Sequence, residues 1–210
     1  MQSGEAPAKR RPGRPPASDS AGTEELILRT AREVFGEMGF AKTTFSEVAK
    51  RAGLTRPAVN HYFHSKRDLY NAVFESMQNN VVLAAETNAM KHDGLSERLS
   101  AFLETASQAN STDRSYARFV TTSLLDGFRQ TEVQERAHAQ LDDVRAFIRQ
   151  VLEAGLVRGD VRSDLDIPAV TEMLLAVTWG ISLYAGFVGT HEQLEAVIDQ
   201  FSRLMRGVMW

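Results

Sequence analysis

The sequence predicts an all-α protein, a small three-helix head followed by a larger helical bundle, about nine helices in total. Three observations predict it. Apolar residues recur at helical spacing from Leu26 onward. Helix start and stop signals recur with them: Thr44 with Glu47, Ser65 with Asp68, and the stops Gly39 and Gly53. No strand-like alternation of useful length interrupts this pattern.

Residues 1–22 are rich in Pro, Gly, Ala and Ser around a basic cluster, Lys9, Arg10, Arg11 and Arg14. They lack apolar periodicity and are expected to be disordered when free. Thr23 is the expected cap of the first helix, with Glu24 and Glu25 at the positive end of its dipole. Leu26, Ile27, Thr30, Ala31, Val34, Phe35 and Met38 form its stripe, and Gly39 ends it. Thr44 opens a second helix that Gly53 stops, and Thr55 caps a short third with Pro57 in its first turn. Ser65 opens a fourth helix expected to run to Met90, about 25 residues and so a rod of roughly 37 Å. Further helices are expected near 95–109, 113–126, 130–157, 167–187 and 190–207. The division expected is a tail over 1–22, a head over 23–68 and a body over 69–210.

The chain has 210 residues, 43% apolar, enough for a substantial core. It has no cysteine, which excludes disulfides and thiolate metal sites and makes a reducing cytoplasm the expected compartment. No signal-peptide pattern is expected at the start. No run of apolar residues approaches membrane-spanning length without interruption: Met173–Val188 is broken by Thr178, Gly180, Ser182 and Gly186 and reads as a buried helix. The net charge of −3 is uneven. Residues 1–70 hold 12 Lys/Arg and 8 Asp/Glu, whereas residues 71–210 hold 12 and 19. A positive head on a negative body points to a polyanion meeting the head.

The segment TFSEVAKRAGLTRPAVNHYFHSK, from Thr44 to Lys66, has the pattern of a helix-turn-helix. Ala49 is small where two helices cross closely. Gly53 follows at the tight turn, where a positive φ is favoured. Val59 packs the second helix back on the first, and Val48, Ala52 and Leu54 complete the core. In the order Thr44, Val48-Ala49, Ala52-Gly53, Thr55, Val59, Tyr62-Phe63, Ser65-Lys66 and Leu69, the segment resembles the TetR family of bacterial repressors. Ala31, Phe35, Gly39-Phe40 and Thr43 are similar to that family's first helix and its exit. Gly155–Asp166 (GLVRGDVRSDLD) is similar to its loop before the penultimate helix. Two positions depart: Pro57 stands where many members have glycine, and Asn60 where many have a tyrosine that reaches a phosphate.

In such a motif the second helix enters the major groove of double-stranded DNA. Arg56, Pro57, Ala58, Asn60 and His61 are then the candidates for base edges: arginine for guanine, asparagine for adenine, apolar Pro or Ala for a thymine methyl. Thr44, Tyr62, Lys66 and backbone N–H groups at the helix starts are the expected phosphate-side contacts, and Thr55 is a further DNA-binding candidate. The tail Arg11-Pro12-Gly13-Arg14-Pro15-Pro16 resembles an AT-hook whose Arg11 and Arg14 enter a narrow minor groove; a solubilising tail is the alternative.

One head reads few base pairs, so a palindromic operator bound by a homodimer is expected. The resemblance implies an interface from the last two helices, near 167–187 and 190–207. Ala176, Gly180 and Tyr184 form one stripe there, and Leu194, Val197, Ile198, Phe201, Leu204 and Met205 a second. The resemblance also implies a small-molecule effector pocket in the body. Phe102, Tyr116, Phe119, Phe128 and Trp179 are its candidate walls, and the lack of a charge cluster points to an apolar or aromatic effector that releases a repressor. No cofactor, metal site or catalytic residue is expected, because no phosphate loop, nucleophile elbow or metal-helix motif is present. The alternatives are an architectural DNA-binding protein without a ligand and, less favoured, a helical enzyme.

Overall fold

The computed structural model describes residues 17–108 and 114–207. The described residues form ten α-helices and no strand: α1 (Ala17–Lys42), α2 (Phe45–Ala52), α3 (Arg56–Tyr62), α4 (Lys66–Met77), α5 (Leu83–Ala89), α6 (Leu95–Gln108), α7 (Ser115–Arg129), α8 (Thr131–Arg158), α9 (Ile167–Leu183) and α10 (His191–Met205). The expected fourth helix is present but not uniform. A π-turn at Gln78–Val82 separates α4 from α5, and a second at Tyr184–Val188 extends α9. Such turns carry one residue more than the α repeat, and apolar periodicity does not announce them.

The local signals act as expected in the head. The Thr44, Thr55 and Ser65 hydroxyls accept the amides of Glu47, Ala58 and Asp68. Gly39 and Gly53 take positive φ, 75° and 67°, a region that favours glycine. The first helix differs: it begins at Ala17 rather than at Thr23. Ala17 and Ala21 are strong helix formers, so the helix continues upstream of the expected cap. Arg11 and Arg14 lie outside the described residues.

Two cores organise the molecule. The first unites Ile27, Ala31, Val34, Phe35, Val48, Val59 and Phe63 with α4 residues Leu69, Tyr70, Val73, Phe74 and Met77. It is closed from the body by Phe119 of α7 and Val133 of α8, so the packing division falls well beyond residue 68. Phe119 is buried with its ring 4.9 Å from Phe74 and 5.3 Å from Tyr70. The second core lies among α5 to α10, around Phe102, Phe147, Ile148, Leu152 and Leu174.

α7 holds the two cores in register. A Cβ at Gly36 would lie 3.0 Å from the Phe119 backbone nitrogen, so α1 and α7 approach closely there. On its other side, a Cβ at Gly186 would lie 2.9 Å from the Arg118 nitrogen. Thr122 donates to the Gly36 carbonyl at 2.9 Å, and the buried Asp126 carboxylate accepts the Phe40 amide at 2.6 Å. Burial pushes the Asp126 carboxyl above its ordinary value, against the lowering effects of that amide, Arg129 and Lys66.

Met173–Val188 is expected to be a buried helix, yet only 17% of the most apolar window of the helix Ile167–Val188 that contains it is buried in this single chain. Met173, Leu183, Phe187 and Val188 are exposed. Its length and composition alone would allow a membrane crossing, but it packs against α7 and α8 as a bundle helix.

Asp126→Ala would strand the Phe40 amide and is expected to cost about 1–3 kcal/mol in chemical denaturation. Asp126→Asn keeps an acceptor without the charge. A carboxyl raised in the folded state stabilises below its unfolded pKa, and that contribution is lost as pH rises through the folded value. The Asn variant should therefore track wild type in acid and gain on it toward neutral pH. Parallel pH profiles would contradict this account of Asp126.

Candidate nucleic-acid interface and effector cavity

The head presents α3 outward. Val59 and Phe63 are buried at 0% and 7% exposure, while Arg56, Pro57, Asn60 and His61 are exposed and Ala58 is half-buried. The helical repeat produces this split: residues 59 and 63 lie four apart on one face, which leaves 56, 57, 60 and 61 on the others. Thr44 and Thr55 are exposed caps at the starts of α2 and α3. The Gly53 amide closes α2 on the carbonyls of Ala49 and Lys50, which sets the turn between the two helices. Arg51 braces α2 against α1 by pairing with Glu37 at 2.5 Å and Glu47 at 2.8 Å. The hydrogen bond from Arg51 holds the Glu47 carboxyl below its ordinary value.

Two expected phosphate contacts have partners within the chain. The Lys66 ammonium donates to the carbonyls of Phe40 (2.8 Å) and Ala41 (3.2 Å) and sits 4.4 Å from the Phe40 ring centroid. It closes the end of α1, where carbonyls lack helical partners. The Tyr62 hydroxyl donates to Ser20 Oγ at 3.3 Å, so the extension of α1 meets the end of α3. A cap signal at Ser65 marks where α4 starts; it gives no hint that the next residue reaches back to α1.

An apolar cavity of about 100 Å³ lies in the body. Of the five expected wall residues, Phe102, Tyr116 and Trp179 line it. Phe119 does not, because it belongs to the core of the head, and Phe128 does not, because it is 70% exposed at the end of α7. Helical spacing marks an aromatic as inward-facing without saying which core it joins. Walls that the sequence left unmarked come from the first π-turn (Val81, Val82), from the second (Ala185), and from Met77, Val120, Gln140 and Leu194. Among the described residues no Lys, Arg, His, Asp or Glu lines the cavity. A larger groove of about 510 Å³ between α6 and α10 is polar, lined by Ser100, Glu104, His191, Glu195 and Asp199. Among the described residues no group of three or more His, Asp or Glu side chains has the arrangement of a metal site.

A helix-turn-helix with a solvent-facing second helix, mounted on a helical body with an apolar cavity, defines a one-component DNA-binding regulator. Residues 27–73 match the family described as bacterial regulatory proteins, tetR family, and residues 95–206 match the C-terminal domain of BetI-type transcriptional repressors. The chain belongs to the tetR family and is a DNA-binding transcriptional regulator, not an enzyme. It is 24% identical over 194 residues to the HTH-type transcriptional regulator SrpR of Pseudomonas putida, covering 90% of this chain and 88% of that protein. It is 27% identical over 174 residues to the HTH-type transcriptional repressor KstR2 of Rhodococcus jostii, covering 79% and 82%. The fold is similar to that of the fatty acid degradation regulator FadR from Bacillus halodurans, with a TM-score of 0.75 at 18% identity over 89% of this chain and 96% of that one. It is also similar to FadR from Bacillus subtilis in complex with stearoyl-CoA, with a TM-score of 0.71 at 19% identity over 89% and 99%.

Arg56→Ala is expected to relax base preference at one symmetric pair of operator positions and to cost about 1–3 kcal/mol there. Lys66→Ala should instead lower thermal stability, with little change in which bases are preferred. Binding titrations on single-position operator variants, paired with melting curves, check both; a uniform loss over all sequences for Arg56→Ala would contradict the base-reading role.

Proposed function

We propose that the protein is a homodimeric cytoplasmic repressor that grips a palindromic operator with α3 of each subunit and lets go when a small neutral ligand fills the cavity. The observation that carries the DNA half is the exposure of Arg56, Pro57, Asn60 and His61 on a helix anchored from behind by Val59 and Phe63. Arg56, Asn60 and His61, with Pro57 and Ala58, read base edges; Thr44, Thr55 and Tyr62 approach the phosphates. Tyr62 of the recognition helix meets Ser20 near the start of α1, which supports a minor-groove role for the AT-hook-like sequence with Arg11 and Arg14 that precedes α1.

The dimer reading rests on α9. Ala176 and Gly180 are exposed on the same helix as Met173, Leu183 and Phe187, and nothing lies within 4 Å of a Cβ placed on Gly180. Exposed apolar faces of this kind mark interaction sites, and small residues let a second helix approach closely. The stripe on α10 divides: Leu194 and Ile198 face the cavity, while Leu204 is exposed and Val197 half-buried.

The ligand class follows from the walls. A cavity whose described lining has no ionisable group, the Tyr116 phenol apart, offers no countercharge to a carboxylate, phosphate or ammonium, and burying such a charge unpaired is costly. FadR from Bacillus subtilis binds stearoyl-CoA. A cavity of about 100 Å³ suits a ligand nearer the size of a single aromatic ring.

Two measurements test this function. In sedimentation velocity Gly180→Leu should shift the protein toward monomer while its helical content stays unchanged; a variant that remains fully dimeric would contradict the α9 interface. In thermal shift, toluene should raise the melting temperature and benzoate or benzylamine should not. Equal shifts with the charged compounds would overturn the neutral-ligand assignment.

A further inference from the structure

Tyr116 stands in the wall between the two cores. It lines the effector cavity and at the same time packs against the core of the head. It also faces a depression shared with Glu25, Leu28 and Arg32 of α1. The Arg32 guanidinium lies over its ring at 3.6 Å from the centroid, and Arg32 Nε donates to Ser115 Oγ at 2.6 Å. Arg32 is only 7% exposed, so this charge is held against the ring with little water to replace it. A cation over an aromatic face is held more strongly when desolvated.

We infer that the Arg32–Tyr116 stack carries the effector signal from the cavity to the head, through α7 and α1 rather than along α4 alone. The inference rests on the cavity being the effector site and adds how it is coupled to DNA binding. α4 also reaches the cavity, since Met77 of the head core is one of its walls and Val81 and Val82 of the π-turn are others. α7 adds a second route, because Tyr116 lines the cavity and stacks with Arg32 of α1. A ligand that displaces the Tyr116 ring loosens Arg32 on α1. Five residues on, Glu37 of α1 pairs with Arg51 of α2, and α2 sets the turn into α3. Only a ligand that binds the two arrangements with different affinity shifts their populations, and a ring that serves as both cavity wall and stacking partner supplies that difference.

The test is a double-mutant cycle on the full-length dimer, with a duplex it binds specifically. Ala106→Leu fills the cavity from α6, and Arg32→Met keeps the side-chain length while removing the guanidinium. Toluene serves as a second way to fill the cavity, with melting temperature reporting occupancy. In the wild-type background, filling the cavity by either route should lower operator affinity about tenfold, within the usual range of allosteric coupling. In the Arg32→Met background the same filling should lower it by less than about threefold. A role in stability alone would shift melting temperature and affinity equally with the cavity filled or empty, leaving the cycle without an interaction term. Equal losses in both backgrounds would overturn the Arg32–Tyr116 route while leaving the effector cavity in place. No loss in the wild type despite a toluene-induced rise in melting temperature would overturn both, and no such rise would refute the small neutral ligand itself.

Discussion

The docking of α7 onto α1 is the constraint on which the arrangement depends. Phe119 projects from the body into the aromatic cluster of the head, where Phe35, Phe40, Tyr70 and Phe74 meet largely edge-on. Edge-to-face aromatic contacts add about 0.5–1.5 kcal/mol each beyond their burial and fix relative orientation. Gly36 allows the backbones to close, and the hydrogen bonds from Thr122 and to Asp126 pin both ends of the contact. α7 thus packs on the head and also carries three of the cavity walls, Tyr116, Ala117 and Val120.

The same constraint explains why Gly39 and Gly186 matter in different ways. Gly39 turns the end of α1 through a positive φ, and a Cβ there would also crowd the Asp126 carboxylate at 3.2 Å. Gly186 has no unusual φ and is required by proximity alone, since α7 backbone lies against it. One glycine shapes the exit from the head, the other seats the second π-turn on α7. With Arg118 donating to the Gly186 carbonyl at 2.8 Å, the helix proposed for dimerisation and the head are fastened to opposite sides of one element.

The head was the most legible part of the chain because its information is local. Thr44, Thr55 and Ser65 cap helices within three residues of themselves, Gly53 makes its turn, and Val59 and Phe63 face inward by the period of the helix. The exposed face of α3 follows from these alone. What stayed hidden depends on distant partners. The assignment of Phe119 to the head and of Phe128 to solvent is decided by how α7 lies across α1. Lys66 meets carbonyls 25 and 26 residues away. The apolar run at Met173–Val188 reads as core by composition, yet Met173, Leu183, Phe187 and Val188 face outward, because composition does not say which face of a helix its neighbours cover. The two π-turns left no pattern in the sequence, although residues from both line the cavity.

The most direct measurement is the selection of bound duplexes from a random DNA pool by the full-length protein. The account requires enrichment of two inverted half-sites at a fixed separation, about one helical turn or a multiple of it, as two copies of α3 held by one dimer would demand. Enrichment of a single unpaired half-site, or none above background, would contradict it.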